Sequence, residues 1–372
     1  MNSQQQIRGM RQRSQPSRAH MRAARRRGPR YGQIAGFGAA GVLASIAGGI
    51  AFSAARIDHA LPLPSAIDAE RRMFTSPEAG PLSYYADETV KGRPLVLVHS
   101  INAAASAYEM RPLFQHYRTE RPVYALDLPG FGFSDRSDRV YSPILYTRAI
   151  LDFLRHIGLP EGGADVVALS LGSEFAARAA VEQPTLIRSL ALISPSGFAV
   201  RSHRNRTQRA GESASGTNLH RLFSFRVWSQ AFYDLLTSRP SIRYFLNMSF
   251  VGRPDPELVA YDYVTAHQPG ARYAPLYFVS GQLFTPGVRD EFYERLTQSV
   301  LVLYDRDAFV TFDALPAAAS RHPNWQAVRI VPSKGLPQFE RLDETVSALD
   351  AFWRFGATAP LTQASHPNGA AH

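Results

Sequence analysis

Residues 165–173, Asp165-Val166-Val167-Ala168-Leu169-Ser170-Leu171-Gly172-Ser173, constrain the fold of this chain more than any other stretch. An apolar run ends at Ser170. Small residues sit two before it (Ala168) and two after it (Gly172), and an alanine-rich helical pattern follows from Glu174 to Val181. That order reads as a strand, a very tight turn and a helix. A serine at such a turn has a strained backbone and projects its hydroxyl from the end of a sheet. Its neighbours must be small because strand and helix nearly touch there. The pattern is G-x-S-x-G with Ala168 in place of the first glycine. In isolation the stretch also fits a serine that caps a helix, so the surrounding segments decide.

Those segments alternate. Leu82–Ala86, Pro94–Val98, Val123–Leu126 and Ser189–Ile193 read as strands, and Ala107–Tyr117 and Pro143–Ile157 as helices. Around Phe198 the alternation stops. Some hundred residues then carry helical and aromatic patterns, including Phe223, Phe225, Trp228, Phe232, Tyr233, Tyr244 and Phe245. It resumes with strands at Ser299–Tyr304 and Ala327–Val331 and helices at Thr311–Ser320 and Asp343–Phe355. Short apolar runs alternating with helical periods imply an α/β protein with a mostly parallel sheet and helices on both faces. Pro62 to Pro81 reads as a linker into this domain.

Four segments in this order resemble the α/β-hydrolase superfamily, in its lidded branch of esterases, C–C bond hydrolases and epoxide hydrolases. Leu95-Val96-Leu97-Val98-His99-Ser100 resembles the strand and His-Gly turn that supplies one oxyanion donor, with Ser100 replacing glycine. Asp127-Leu128-Pro129-Gly130-Phe131-Gly132-Phe133-Ser134 matches the branch's D-L-P-G-x-G-x-S turn, the serine turn is the third segment, and Leu301–Asp307 resembles the strand and loop that carry the triad acid. The resemblance implies Ser170 as nucleophile, Asp307 as acid and the backbone N–H groups of Leu171 and Ile101 as oxyanion donors. Serine rather than aspartate at the nucleophile argues against epoxide hydrolase and dehalogenase chemistry. It also implies that residues 198–298 form a helical lid between core segments 72–197 and 299–356. The lid's aromatics, with Leu235, Leu236, Phe250 and Leu283, should then line an apolar pocket above Ser170.

The base departs from the pattern. After the last strand the family has a G-x-G-H-L-P-type turn. Here Ser333-Lys334-Gly335-Leu336-Pro337 runs without a histidine between Gly335 and Leu336, and no histidine occurs from Pro323 to Ser365. Losing such a base costs about as much as losing the triad, on the order of 10⁶ in turnover. Possible substitutes are His267, in the insertion, and Lys334, whose amine would need burial to act as a base. His99 is expected to be structural and His322 to be an exposed helix end.

The chain's formal charge of +10 invites a nucleic-acid reading, but residues 1–31 hold nine arginines and no acid, leaving about +1 for the remainder. The basicity belongs to a tail, and no nucleic acid is expected. There is no cysteine, which excludes disulfides, thiolate metal sites and a cysteine nucleophile. No cofactor or metal is expected. Gly32 to Ala55 carries no charge and is long enough to cross a bilayer as a helix. Arginines before it imply an N-terminus in the cytoplasm and a folded domain outside it. A cleaved signal peptide is the competing reading, with Ala51-Phe52-Ser53 or Ser53-Ala54-Ala55 as the site. The expected organisation is a basic tail (1–31), an anchor helix (32–55), a linker (56–71), the core with its lid, and a disordered tail (357–372). The function expected is a serine hydrolase for an ester or similar apolar acyl compound with an atypical base. The alternative is a catalytically silent member that binds an apolar ligand or a partner beneath the lid.

Overall fold

The computed structural model describes residues 47–199 and 216–355. The strands are β1 (Glu70–Ser76), β2 (Gly80–Asp87), β3 (Leu95–Val98), β4 (Val123–Leu126), β5 (Ala164–Leu169), β6 (Ile187–Ile193), β7 (Ser299–Arg306) and β8 (Trp325–Lys334). They form one sheet in the order β1-β2-β4-β3-β5-β6-β7-β8. Only the β1–β2 and β2–β4 pairs are antiparallel. From β4 to β8 all neighbours run parallel.

The helices are α1 (47–56), α2 (Arg111–Tyr117), α3 (Pro143–His156), α4 (Gly172–Glu182), α5 (216–223), α6 (Ser229–Leu236), α7 (Arg239–Ser249), α8 (Pro256–Ala266), α9 (Tyr273–Val279), α10 (Val288–Glu291), α11 (Leu315–Arg321), α12 (Pro337–Glu340) and α13 (Leu342–Phe355). Strands β3 and β4 carry no charged residue and are buried at every position because helices cover both faces. Val96 and Val98 pack with Tyr146, Phe153 and Phe175 of α3 and α4. Leu95 and Leu97 face the other way, onto Phe114 of α2 and Leu349 and Phe352 of α13.

Part of the expected 62–81 linker is β1. Its seven residues pair with β2 from Glu70↔Ala86 to Ser76↔Gly80. An edge strand with one covered face needs few apolar residues, and only Phe74 and Ser76 are buried in β1. Arg71 and Arg72 keep the open edge charged. Ala107–Tyr117 divides into a 3₁₀ turn (Ala107–Met110) and α2, where Pro112 limits the helix start.

The insertion between β6 and β7 is helical where described, from α5 through α10. Among the described residues no helix is long and apolar enough to cross a membrane. The 32–55 stretch lies outside the described residues up to residue 46; its last residues lie in α1. The tails 1–31 and 357–372 also lie outside them.

Candidate active site

β5 and β6 end in register, with Leu169 beside Ile193, and β7 runs on past Leu303, the partner of Ile193, to Arg306. Ser170 follows β5 directly. Its φ is +51°, a region that costs L-residues other than glycine energy. The turn is tied down by Ser170 N–H donating to Ile193 O (2.8 Å) and Ser173 N–H donating to Ser170 O (3.0 Å). Gly172 shows why the turn needs small residues: a Cβ there would lie 2.4 Å from the His99 carbonyl oxygen. The start of α4 thus rests on the turn after β3, and Leu171 and Ile101 belong to these two touching turns. Neither the Leu171 nor the Ile101 N–H donates to a protein acceptor among the described residues. Nor does any described side chain hydrogen-bond Ser170 Oγ.

The β3 turn is held from beneath. Buried Glu109 accepts from Ser100 N–H (2.8 Å), Ser100 Oγ (2.9 Å) and Asn102 Nδ2 (2.7 Å). Burial pushes its carboxyl up, and these donors oppose the shift. His99 is structural, as expected. Its Nδ1 donates to Ser100 O (2.6 Å) and its Nε2 accepts from Leu128 N–H (2.9 Å), so the ring is neutral with the proton on Nδ1. Burial lowers its pKa to about 4. Asp127 joins the same turns, accepting from Ala107 N–H (2.9 Å) and Phe133 N–H (3.0 Å). Ser100, Asn102 and Glu109 therefore form one network that the sequence reading did not assemble. Ser194 was also missed. It follows β6 as Ser170 follows β5, with φ +45° and a buried hydroxyl without a partner.

Asp307 follows β7. Its Oδ1 accepts from Phe309 N–H (2.7 Å) and Val310 N–H (3.3 Å). Burial raises its pKa, against these two donors and the nearby charge of Lys334. Lys334 ends β8 opposite Arg306. The next residue, Gly335, has φ +95°, and a Cβ built on it would lie 2.9 Å from Asp307 Oδ2. The position facing the acid is thus occupied by a residue without a side chain. The sequence reading put the gap between Gly335 and Leu336; in space the vacancy coincides with Gly335.

His267 caps α8 and is fully buried. Its Nδ1 donates to Tyr263 O (2.6 Å), its ring packs on Tyr263 and His59, and its Nε2 has no partner. Burial lowers its pKa. No hydrogen bond joins it to Ser170. His322 stacks on Trp325.

The expected pocket lining is dispersed. Leu235 points outward at 70% exposure, Leu283 packs with the α3–α4 core, and Phe250 packs with the core on the other face of the sheet. Amphipathic helices do not say by pattern alone which way a small insertion turns each face. Among the described residues one group has a metal site's composition: His116, Glu120 and Asp350, with ligand atoms within 4.8 Å of one another. It joins α2 to α13, with His116 Nε2 3.4 Å from Glu120 Oε1.

One turn after the serine, buried Glu174 accepts from the Ser196 hydroxyl and from Thr285 N–H. Burial pushes its pKa up to about 7, well above the ordinary 4.5. An acid that holds its proton more tightly when folded favours the fold at low pH, and that contribution is lost as pH rises from about 4.5 to about 7. The span corresponds to on the order of 3 kcal/mol. Glu174→Gln, which keeps an acceptor for Thr285, should therefore gain on wild type over that window in urea melts. A difference that stays flat with pH would show that Glu174 titrates normally.

Serine at a strained strand–helix turn, two unclaimed N–H groups beside it and an acid after β7 define the layout of an α/β hydrolase. Comparison with known proteins agrees: the model of the alpha/beta hydrolase family matches residues 95–348, and the chain belongs to that family. It is 31% identical over 122 residues to the uncharacterized hydrolase YugF of Bacillus subtilis, covering 32% of this chain and 43% of that protein. It is 38% identical over 87 residues to esterase Rv0045c of Mycobacterium tuberculosis, covering 23% and 28%. The matched stretches thus span less than half of either curated relative. Among solved structures, a serine hydrolase involved in carbazole degradation (the CarC enzyme) superposes with a TM-score of 0.61 at 18% identity, covering 77% of this chain and 98% of that one. A thermophilic esterase from Thermogutta terrifontis gives 0.58 at 19%, covering 77% and 98%. At such identities the likeness is one of fold.

Proposed function

We propose that the protein is a serine hydrolase in which Ser170 attacks an ester or similar compound with an apolar acyl group. The observation that carries this is Ser170 itself, a non-glycine residue at φ +51° with a free hydroxyl. Holding serine there costs roughly 1–3 kcal/mol, which a helix cap does not require. In this reading the base takes the hydroxyl proton as Ser170 Oγ bonds to the carbonyl carbon, the oxyanion accepts from Leu171 and Ile101 N–H, and the base returns that proton to the alcohol oxygen. The alcohol then leaves, and water releases the acid. Of the two substitute bases Lys334 is favoured over His267 by position: it ends β8 beside Gly335, whereas the His267 ring is hydrogen-bonded to Tyr263 within the insertion. The uncharged 32–55 stretch is the membrane anchor, with the folded domain outside the cytoplasm.

One observation favours a second reading, a silent scaffold that binds an apolar ligand: the residue facing Asp307 is glycine. A fluorophosphonate probe separates the two. Wild type should label slowly, Ser170→Ala not at all, and Lys334→Met more slowly than wild type. Wild type that stays unlabelled over hours while folded leaves the binding reading. Labelling that survives Ser170→Ala would place the nucleophile elsewhere.

A further inference from the structure

The outer side of the insertion has a composition that the active site does not use. Leu222, Phe225, Val227, Leu235 and Tyr244 are all at least half exposed, on α5, the loop after it, α6 and α7. α6 and α7 have an inner side as well: α6 buries Ser229 and Tyr233 while exposing Leu235, and α7 buries Ile242 while exposing Arg243 and Tyr244. Large apolar side chains in water on successive segments mark a contact surface rather than scattered exposure.

Charge identifies what it contacts. From residue 216 to 254 there are five arginines and a single acid, Asp234. Asp234 is buried and engaged by Ser53 Oγ (2.5 Å), His59 Nε2 (2.9 Å) and Gln230 Nε2 (2.8 Å). Arg221, Arg226 and Arg243 are exposed and pair with no carboxylate among the described residues. A face of free guanidinium groups interleaved with leucine, phenylalanine and tyrosine suits an anionic lipid surface, where the cations meet headgroups and the apolar groups enter the acyl boundary.

Chain path points the same way. Ser53 and His59 fasten α1 and the residues after it to Asp234 of α6. α1 leaves Phe52 exposed and contains the last residues, 47–55, of the uncharged 32–55 stretch. The segment proposed as the anchor therefore enters the fold against the insertion. We propose that this outer face of the insertion docks on an anionic phospholipid surface, as a contact separate from the N-terminal anchor and independent of catalysis.

The absence of cysteine makes the test direct. Leu235→Cys, Tyr244→Cys and, on the β1 edge, Met73→Cys are made singly in the full chain and labelled with an environment-sensitive fluorophore. Melting curves confirm folding. Each is reconstituted in vesicles of phosphatidylcholine with 30% phosphatidylglycerol, their acyl chains brominated. Labels at 235 and 244 should be quenched at least twofold and the label at 73 should not. Quenching should fall to the Met73 level on phosphatidylcholine alone. It should fall likewise when Arg221, Arg226 and Arg243 are all changed to Gln, since each arginine at such a surface is worth about fivefold in binding. Unquenched labels on a chain that floats with the vesicles would overturn the docking and leave the anchor standing. Quenched labels on a chain that carbonate extracts would support the docking and refute the anchor. Equal quenching on neutral vesicles, or contact between labels of two copies without lipid, would also overturn it.

Discussion

Gly335→His should raise aryl-ester turnover at least about 100-fold over wild type. A Cβ at 335 would start 2.9 Å from Asp307 Oδ2, so the carboxylate must first shift aside, after which an imidazole there would be oriented by that acid and could take the Ser170 proton. Restoring a missing triad base can recover part of a factor on the order of 10⁶. The gain is limited because φ at 335 is +95°; an L-residue there is strained by roughly 1–3 kcal/mol unless the turn relaxes. The gain should vanish in Gly335→His with Ser170→Ala and shrink with Asp307→Asn. The rate should climb with pH through the ordinary imidazole range near 6.5. Inserting histidine between Gly335 and Leu336 is the natural comparison, and substitution should do better because position 335 already faces the acid. A folded Gly335→His protein no faster than wild type would mean that Ser170 and Asp307 do not share a catalytic site.

The second large effect concerns the serine turn. Gly172→Ala should destabilise the protein by about 3 kcal/mol, the upper end of what overpacking costs, because its Cβ would meet a backbone oxygen, His99 O, at 2.4 Å. Helix α4 must then lift off the β3 turn, separating Leu171 from Ile101, so the activity restored by Gly335→His should be lost as well. Gly252→Ala is the control. Nothing lies within 4 Å of a Cβ there, and denaturant melts should place it within about 0.5 kcal/mol of wild type. Equal stability of the two variants would mean that the elbow packs more loosely than its distances imply.

The sequence by itself determined whatever is written in neighbouring residues. Small residues around Ser170 fix a tight strand–helix turn, and runs such as Leu95–Val98 and Val123–Leu126 are apolar throughout because such strands are covered on both faces. Four motifs in order specify the family. β1 escaped this kind of reading because an edge strand with one covered face needs little apolar surface. The network of Ser100, Asn102 and Glu109 escaped it because its members meet only when the 3₁₀ turn folds under the β3 loop. Tertiary structure alone decided that Gly335 stands against Asp307, since 28 residues and a strand pairing separate them. It alone turned Leu235 toward solvent and Leu283 into the core, because a helix's apolar stripe does not specify its partner. It alone buried His267 on Tyr263 and His59. Local periodicity reports how a segment folds; which side chains share a site depends on contacts between segments distant in sequence.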